Sequence, residues 1–439
     1  MMRIVVLGSG RSSWYLLNYL AEKSAEKGWK LLVCDRDEQA LQNHTKGLLL
    51  ETRVCDIANT DVLSELIEGS AIVISLLPPT MHFAVAQLCL KWGVHLATAS
   101  YVSAEMKNLH SSAAAKGLIF LNEMGLDPGI DHLSAMRAMD AIRSRGAEVV
   151  SFESYCGGLI AEANCGDNPW GYKFSWNPRN VVLAGQGGMS IYRQNDVTRC
   201  LPWHRLFGQA GRLPIPGLGN FDAYANRDSL GYAEAYGLQK AKTIVRGTLR
   251  RSGFCEAWQV LVELGYTDAL TILPKSVRSM AALSDALTGK EESTTTADWL
   301  LNNQIITAEM KEKFKFLGLD DEQIFAEVET AADILTQQLM KKWKMGEKDR
   351  DEVVMYHKIG FEEDGELKTH HSVLRVTGDD ALHTAMAKTV GLPLAMGVEM
   401  ILLGESKELG VVIPVSSGWY VPVLKRLEQH GIVFKESIG

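Results

Sequence analysis

Arg3-Ile4-Val5-Val6-Leu7-Gly8-Ser9-Gly10-Arg11-Ser12-Ser13 opens the chain with a short apolar run and two closely spaced glycines. Residues 12–23 follow, with Trp14, Leu16, Leu17 and Leu20 at helical spacing. The pattern is a buried strand, a tight turn and an amphipathic helix. Gly8 permits the turn and Gly10 lets the backbone approach a pyrophosphate, which the N-terminus of a helix favours. Ser13 stands where a third glycine is usual, so the helix is expected to pack slightly further out. Asp35 ends a second strand, 30–34, where a carboxylate would take the ribose 2′-hydroxyl of NAD and repel a 2′-phosphate. Arg36 beside it can bind such a phosphate, so NAD is the expected cofactor and NADP the alternative. An ordinary strand-to-helix turn and a solvated aspartate are the bland readings of the same residues.

Outward from this turn, short apolar strands at 52–56, 71–77, 94–99 and 117–121 alternate with helices at 82–92 and 104–116. Such alternation implies parallel strands covered on both faces, a doubly wound α/β sheet. Ser75-Leu76-Leu77-Pro78 and Ser100-Tyr101-Val102-Ser103 follow strands and should face one edge of that sheet, with Ser103 capping the next helix. Asn122-Glu123-Met124-Gly125-Leu126-Asp127-Pro128-Gly129-Ile130-Asp131-His132 then breaks into a turn that Pro128 and the two glycines shape. It reads as the hinge between a cofactor half and a substrate half. Beyond it come a strand at 149–155, the pair Gly157-Gly158, and a polar, aromatic segment at 168–180. Residues 255–345 read as a helical insert, and 353–361 with 368–376 as a hairpin turning at Asp364-Gly365. A helix at 379–390 is expected to break at Gly391-Leu392-Pro393 before 394–403. A strand at 410–415, a helix at 421–429 and residues 432–434 close the chain.

With 439 residues the chain exceeds one hydrophobic core. Its net charge of −8 argues against a nucleic-acid partner but leaves room for a local arginine cluster. The seven cysteines, at 34, 55, 89, 156, 165, 200 and 255, form no Cys-x-x-Cys pair, which suits a reducing compartment and excludes a zinc ribbon. No metal-ligand spacing occurs, and the adjacent His370 and His371 would point to opposite faces of a strand. There is no leader pattern and no apolar run of about 20 residues, so a cytoplasmic protein without a membrane partner is expected.

Arg227, Arg246 and Arg250 could supply bidentate forks for carboxylates, and Lys173 has similar standing. Each is more often a surface charge or half of a structural ion pair. His132 and Cys156 invite a base-and-nucleophile reading, but a helix residue facing its core and a small residue beside two glycines describe them better.

Several longer stretches resemble the glutamate-forming saccharopine dehydrogenases, also called saccharopine reductases. They are Ser100-Tyr101-Val102-Ser103, residues 122–132, Ser154-Tyr155-Cys156-Gly157-Gly158-Leu159, residues 167–176, Asn226-Arg227-Asp228-Ser229, Val245-Arg246-Gly247-Thr248-Leu249-Arg250, residues 349–358 around Arg350 and His357, and residues 381–393. The resemblance covers nearly the whole chain. It implies a Rossmann domain at 1–124 and 405–439, an α/β substrate domain with a mixed sheet at 125–254 and 346–404, and the helical insert at 255–345. It also implies reversible oxidation of saccharopine by NAD(P)⁺ and water to glutamate and 2-aminoadipate 6-semialdehyde. By similarity the cofactor would be lined by Gly8, Ser9, Gly10, Arg11, Ser12, Asp35, Arg36, Asp56, Ser75, Leu76, Leu77, Pro78 and Val102. Ser100, Leu126, Asp127 and Cys156 would reach its nicotinamide end. Ser100, Tyr101, Asp127, Lys173, Arg227, Arg246, Thr248, Leu249 and Arg250 would surround the small-molecule substrate. A homodimer is compatible with the resemblance.

The departures lie beside this presumed site. Gly157-Gly158-Leu159-Ile160-Ala161-Glu162-Ala163 stands where the family usually reads Gly-Gly-Leu-Pro-Ala-Pro-Glu, and Pro79 replaces an expected tyrosine. Residues 190–216 are also less family-like. NADP-using fungal relatives carry arginine near the Asp35 position; this chain does not, which favours NAD.

The chemistry requires a group that stabilises an iminium and relays a proton, for which Asp127 is the first candidate and Tyr101 and Cys156 the alternatives. Saccharopine carries three carboxylates, which the arginines and Lys173 could clamp. Two other readings compete: a dehydrogenase of the same architecture acting on a carboxylated polyamine or another opine, and a non-catalytic NAD-binding sensor or partner subunit.

Overall fold

The computed structural model describes residues 2–291 and 293–439. Its strands, numbered along the chain, are β1 (Arg3–Leu7), β2 (Lys30–Asp35), β3 (Glu51–Val54), β4 (Ile72–Ser75), β5 (His95–Ala97), β6 (Ile119–Leu121), β7 (Glu148–Ile160), β8 (Ser190–Gln194), β9 (Val197–Leu201), β10 (Gly211–Ile215), β11 (Gly219–Ala225), β12 (Thr243–Arg251), β13 (Asp351–Glu363), β14 (Glu366–Thr377), β15 (Gly410–Val412) and β16 (Lys435–Ile438). The chain folds as two compact units: residues 1–147 with 374–434, and residues 148–373 with 435–439.

The first unit is built on a seven-stranded sheet in the order β15-β6-β5-β4-β1-β2-β3, with every pairing parallel. The central residues Ile4, Val5, Val6, Ile72, Val73 and Ile74 are fully buried, as strands covered by helices on both faces must be. Strand order reverses between β1 and β4, which opens a crevice beyond their carboxyl ends. The helix Trp14–Lys27 leaves the glycine turn and stops at Gly28, whose left-handed φ of 67° lets its N–H reach Ser24 O.

That helix packs against Ala385–Leu402, which runs unbroken through Gly391-Leu392-Pro393. The expected break does not occur. Pro393 removes one backbone donor, but residues along the whole helix are buried, and packing outweighs the lost bond. The glycine is there for contact: a Cβ on Gly391 would lie 2.8 Å from the backbone N of Leu16. This helix has the length and hydropathy of a membrane span, yet 83% of it is buried within the protein.

Unit boundaries differ from those expected from sequence. Helix Ile130–Arg143, expected in the substrate half, packs in the first unit against Ser417–Gln429. Ala385–Leu402 also belongs to the first unit, while β16 leaves the expected Rossmann tail to pair with β14. The helix expected at 104–116 is two, Ala104–Asn108 and His110–Ala115, the first capped by Ser103 as expected.

The second unit carries a nine-stranded mixed sheet in the order β10-β11-β12-β7-β13-β14-β16, with β8 pairing both β12 and β9. β7 is parallel to β12 and antiparallel to β13. It continues through Gly157-Gly158, beyond the expected end at 155. A Cβ on Gly157 would sit 2.8 Å from Leu249 O, so the glycine permits the close approach of β12. The β13–β14 hairpin turns at Asp364 and Gly365, as expected, with φ values of 55° and 81°.

The helical insert, Phe254–Glu263, Met280–Thr288, Thr296–Asn302, Ala308–Leu317 and Ala331–Lys342, belongs to this second unit. Ser279, Thr295, Thr307 and Thr330 cap four of these helices, and Thr330 forms a capping box with Asp333. The insert's core is aromatic: Trp258, Phe314 and Trp343 pack with Trp170 and Tyr172 from the 168–180 segment.

Gly391→Ala is expected to destabilise the protein by up to about 2 kcal/mol in urea unfolding. Helix propensity alone favours alanine by about 1 kcal/mol, but forcing a methyl against Leu16 costs about 1–3 kcal/mol. A gain in stability would show that the two helices can part freely.

Candidate active site

In the first unit, Gly8 takes a φ of 99°, and its N–H donates to Cys34 O at 2.8 Å. A Cβ there would press on Leu76 O at 3.2 Å, so glycine lets the turn lie beside the β4 loop. Gly10 has open space where a Cβ would stand. With the 14-residue helix that follows, this clear backbone fits a pyrophosphate group.

Asp35 is held by the same turn. Its Oδ2 accepts the Ser9 N–H at 2.6 Å and the Ser9 hydroxyl at 3.0 Å, and Oδ1 accepts the Asp37 N–H at 2.9 Å. Burial raises its pKa, but donors from Asp37, Ser9 and Arg36 outweigh burial and leave it below the ordinary carboxylate value. The stabilisation is therefore complete above the unfolded value and is lost as pH falls through the lowered one. Arg11, Arg36, Asp56 and Pro78 are exposed around this edge, while Ser12, Leu76 and Leu77 are half-buried.

Beyond β4 and β5 the structure gathers a connected polar group. His82, 5% exposed at the start of helix His82–Trp92, places Nδ1 2.8 Å from Ser75 Oγ and Nε2 2.8 Å from Ser100 Oγ. Burial pushes its pKa down to about 4, so the ring is neutral at physiological pH. Tyr101 donates its hydroxyl to Asp127 Oδ1 at 3.2 Å. Val102 N–H donates to Glu123 Oε1 at 2.9 Å, and Glu123 Oε2 lies 2.8 Å from His132 Nε2. Leu126 is buried beside Asp127. Ser75, Ser100, Tyr101, Val102 and Asp127 were legible in the sequence; His82 and Glu123 were not. His132 is fully buried, as its place on a helix facing the core implied, with Glu123 as partner.

In the second unit, register decides which residues share a face. Thr248 pairs with Cys156, Arg246 with Ser154, and Met355 and His357 with Cys156 and Ser154 in turn. Cys156, Arg246, Thr248, Arg250 and His357 therefore lie on one face, with His357 Nδ1 3.0 Å from Ser154 Oγ. Leu249 has the opposite parity, and its side chain is buried in an apolar cluster with Tyr155, Leu159 and Val245. Only its backbone is available to the polar face.

Arg246 is buried with its guanidinium 4.3 Å over the Tyr232 ring. Arg250, 3% exposed, lies 5.1 Å over Tyr172 and 5.4 Å over Phe254, and its Nε has no hydrogen-bond partner. Arg227 is exposed with a left-handed φ of 49°. Lys173 has a different occupation from the one expected: its Nζ donates to Asp349 Oδ2 at 2.7 Å and Asn164 O at 2.9 Å. That pairing was the plainer of the two readings its sequence allowed.

A parallel sheet with a switch point, a glycine turn running into a helix, and Asp35 closing the turn define a Rossmann dinucleotide-binding fold. Residues 4–121 match the saccharopine dehydrogenase NADP binding domain, and residues 125–432 the saccharopine dehydrogenase C-terminal domain. The chain belongs to the saccharopine dehydrogenase family. It is 33% identical to saccharopine dehydrogenase [NADP(+), L-glutamate-forming] of Pyricularia oryzae, over 99% of this chain and 98% of that protein. Against the mitochondrial alpha-aminoadipic semialdehyde synthase of Rattus norvegicus it is 34% identical over 98% of its length, but spans only 47% of that longer protein. The chain thus spans about half the length of the semialdehyde synthases it matches. Apo saccharopine dehydrogenase (L-Glu forming) from Saccharomyces cerevisiae superposes with a TM-score of 0.88, at 30% identity over 100% of both chains.

Lys173→Met should lower stability by roughly 1–3 kcal/mol, because Asp349 loses its partner in a half-buried setting. Urea unfolding measures this. The KM for any carboxylate substrate should stay within about twofold if Lys173 is occupied by Asp349; a tenfold rise would assign Lys173 to that carboxylate.

Proposed function

We propose that the chain oxidises saccharopine reversibly, with NAD(P)⁺ and water, to L-glutamate, 2-aminoadipate 6-semialdehyde and NAD(P)H. The observation that carries this reading is Arg250: a buried guanidinium with an unpaired Nε, on the same sheet face as Arg246, Thr248 and Cys156. A buried cation with an open donor is costly until an anion meets it, and a substrate carboxylate answers that need with a charge-assisted bond. Arg246 and Arg227 are assigned to further carboxylates; Lys173 is not.

The dinucleotide supplies the hydride acceptor for the carbon next to the secondary amine. The chain's own residues supply position and proton handling. Asp127, which accepts the Tyr101 hydroxyl, is assigned to face the nitrogen as it becomes an iminium, where a carboxylate stabilises the cation. Water then adds to the iminium; Asp127 is assigned to take the water's proton through the Tyr101 hydroxyl and to return it to the nitrogen, so that the carbinolamine collapses to amine and aldehyde. Cys156 is assigned a place beside the reacting carbon without a proton to carry.

For the cofactor, Asp35 presents a charged carboxylate at the turn, which opposes a 2′-phosphate, while the relatives named above include NADP enzymes. We assign NAD as the preferred cofactor, with NADP accepted through the exposed Arg36.

The test is reduced-cofactor formation from saccharopine, with NAD and NADP run in parallel. Turnover is expected with both and a higher kcat/KM with NAD. Arg250→Met should cut kcat/KM for saccharopine by roughly 10- to 100-fold, the value of a charged hydrogen bond. Dinucleotide binding without turnover of saccharopine would overturn the assignment of substrate.

A further inference from the structure

Ser75 closes β4 and opens the Leu76-Leu77-Pro78 loop, whereas Ser100 lies after β5 and immediately precedes Tyr101. Nothing in local sequence joins the two loops. His82 does so, with one ring nitrogen on each hydroxyl and both distances at 2.8 Å. Ser75 is 1% exposed and His82 5%, so no water competes freely for these bonds. A neutral imidazole has one donor and one acceptor, so one serine donates to the ring and the other accepts from it. The bridge fixes the spacing of the two loops whichever tautomer is present. Because Ser75 is buried, the chain of three groups ends inside the protein and offers no exit for a proton.

We infer that His82 is a positioning residue with two separable duties: its Nδ1 side sets the Ser75–Pro78 edge that meets the dinucleotide, and its Nε2 side sets Ser100 and so Tyr101. The inference rests on the cofactor and substrate assignments proposed above. Ser100 is held a second time, since its carbonyl accepts the Glu123 N–H at 3.1 Å. Loss of the imidazole therefore frees the Ser100 side chain without releasing the loop, and a folded variant is expected.

Asparagine and glutamine divide the two duties. The His82→Asn amide stands near Nδ1 and can keep Ser75; the His82→Gln amide reaches the place of Nε2 and can keep Ser100. The full chain of each is tested for NADH affinity by fluorescence titration, for kcat with saccharopine, and for melting temperature. His82→Asn should hold the NADH dissociation constant within about twofold and lose kcat about tenfold, the value of one hydrogen bond to a reacting group's neighbour. His82→Gln should do the reverse, weakening NADH about tenfold while keeping kcat within about twofold. Ser75→Ala should weaken NADH about tenfold and Ser100→Ala should lower kcat about tenfold, with the imidazole left in place. The inference is overturned if both amides shift the two quantities together, or change only the melting temperature, or change nothing. If the wild type binds NADH but does not oxidise saccharopine, the proposed reaction fails. The affinity arm still decides the role of His82: a loss in His82→Gln with none in His82→Asn supports it, and an equal loss in both overturns it.

Discussion

The buried carboxylate of Glu123 is the constraint on which the first unit's polar edge depends. It is 3% exposed and takes a left-handed φ of 57°, uncommon for a residue with a side chain. Burying that charge would cost several kcal/mol without partners. Val102 N–H and His132 supply them, so the loop after β5 and the helix Ile130–Arg143 are tied to one group. The Glu123 N–H meanwhile holds the Ser100 carbonyl. Tyr101 is thus clamped between two residues whose backbones answer to Glu123, and its hydroxyl meets Asp127 from a fixed origin. The tight turn that follows adds a second constraint. A Cβ on Gly129 would lie 2.0 Å from Gly125 O, so no side chain can occupy that position while the turn persists.

In the second unit an equivalent constraint is steric. Tyr155 covers Gly247, where a Cβ would fall 2.5 Å from the tyrosine ring, and Leu249 covers Gly157. Each large side chain on one strand fills the space left by a glycine on the other, which locks β7 and β12 in register. The period of a strand then does the rest. With Tyr155 and Leu249 committed to the apolar face, Cys156, Arg246, Thr248 and Arg250 have no choice but the other. A one-residue slip of β12 would turn both arginines toward Tyr155, Leu159 and Phe221 of the apolar cluster. The specificity of the polar face is thus secured by packing on the apolar one.

Features carried by local chemistry were legible in the sequence. The first strands, the Gly8 turn, the Ser103 cap and the Asp364-Gly365 hairpin each depend on a few adjacent residues, and the structure has all of them. Features decided by distant partners were not. Gly391-Leu392-Pro393 reads as a helix break until Leu16 is seen to need the glycine and the buried surroundings to outweigh the proline. Gly157-Gly158 falls outside the strand expected at 149–155 until Leu249 is seen to fill its space. Lys173 belongs to Asp349, far along the chain, and no spacing rule joins them. Leu249 was drawn into the site with its neighbours because a motif read as a string ignores the alternation of a strand. His82 escaped for another reason: its partners come from two different loops.

His82 with Glu123 in the first unit and Arg250 in the second are buried polar groups satisfied in different ways. In the first, these two buried titratable groups at the polar edge are answered internally: His82 is neutral with both nitrogens used, and Glu123 has a partner for each oxygen. Such a network can hold its geometry before any ligand arrives. In the second, Arg250 is sustained largely by aromatic rings. Cation–π contacts with Tyr172 and Phe254 offer about 0.5–2 kcal/mol each, less than the cost of desolvating a guanidinium. The Tyr224 hydroxyl narrows the gap, yet Nε remains open. The aromatic core of the helical insert keeps those rings in place, since Tyr172 and Phe254 both pack on Trp343. The insert is thereby tied to Arg250: it supplies the low-dielectric wall around a guanidinium whose Nε alone stays open, a setting in which a carboxylate would be a stronger partner than water.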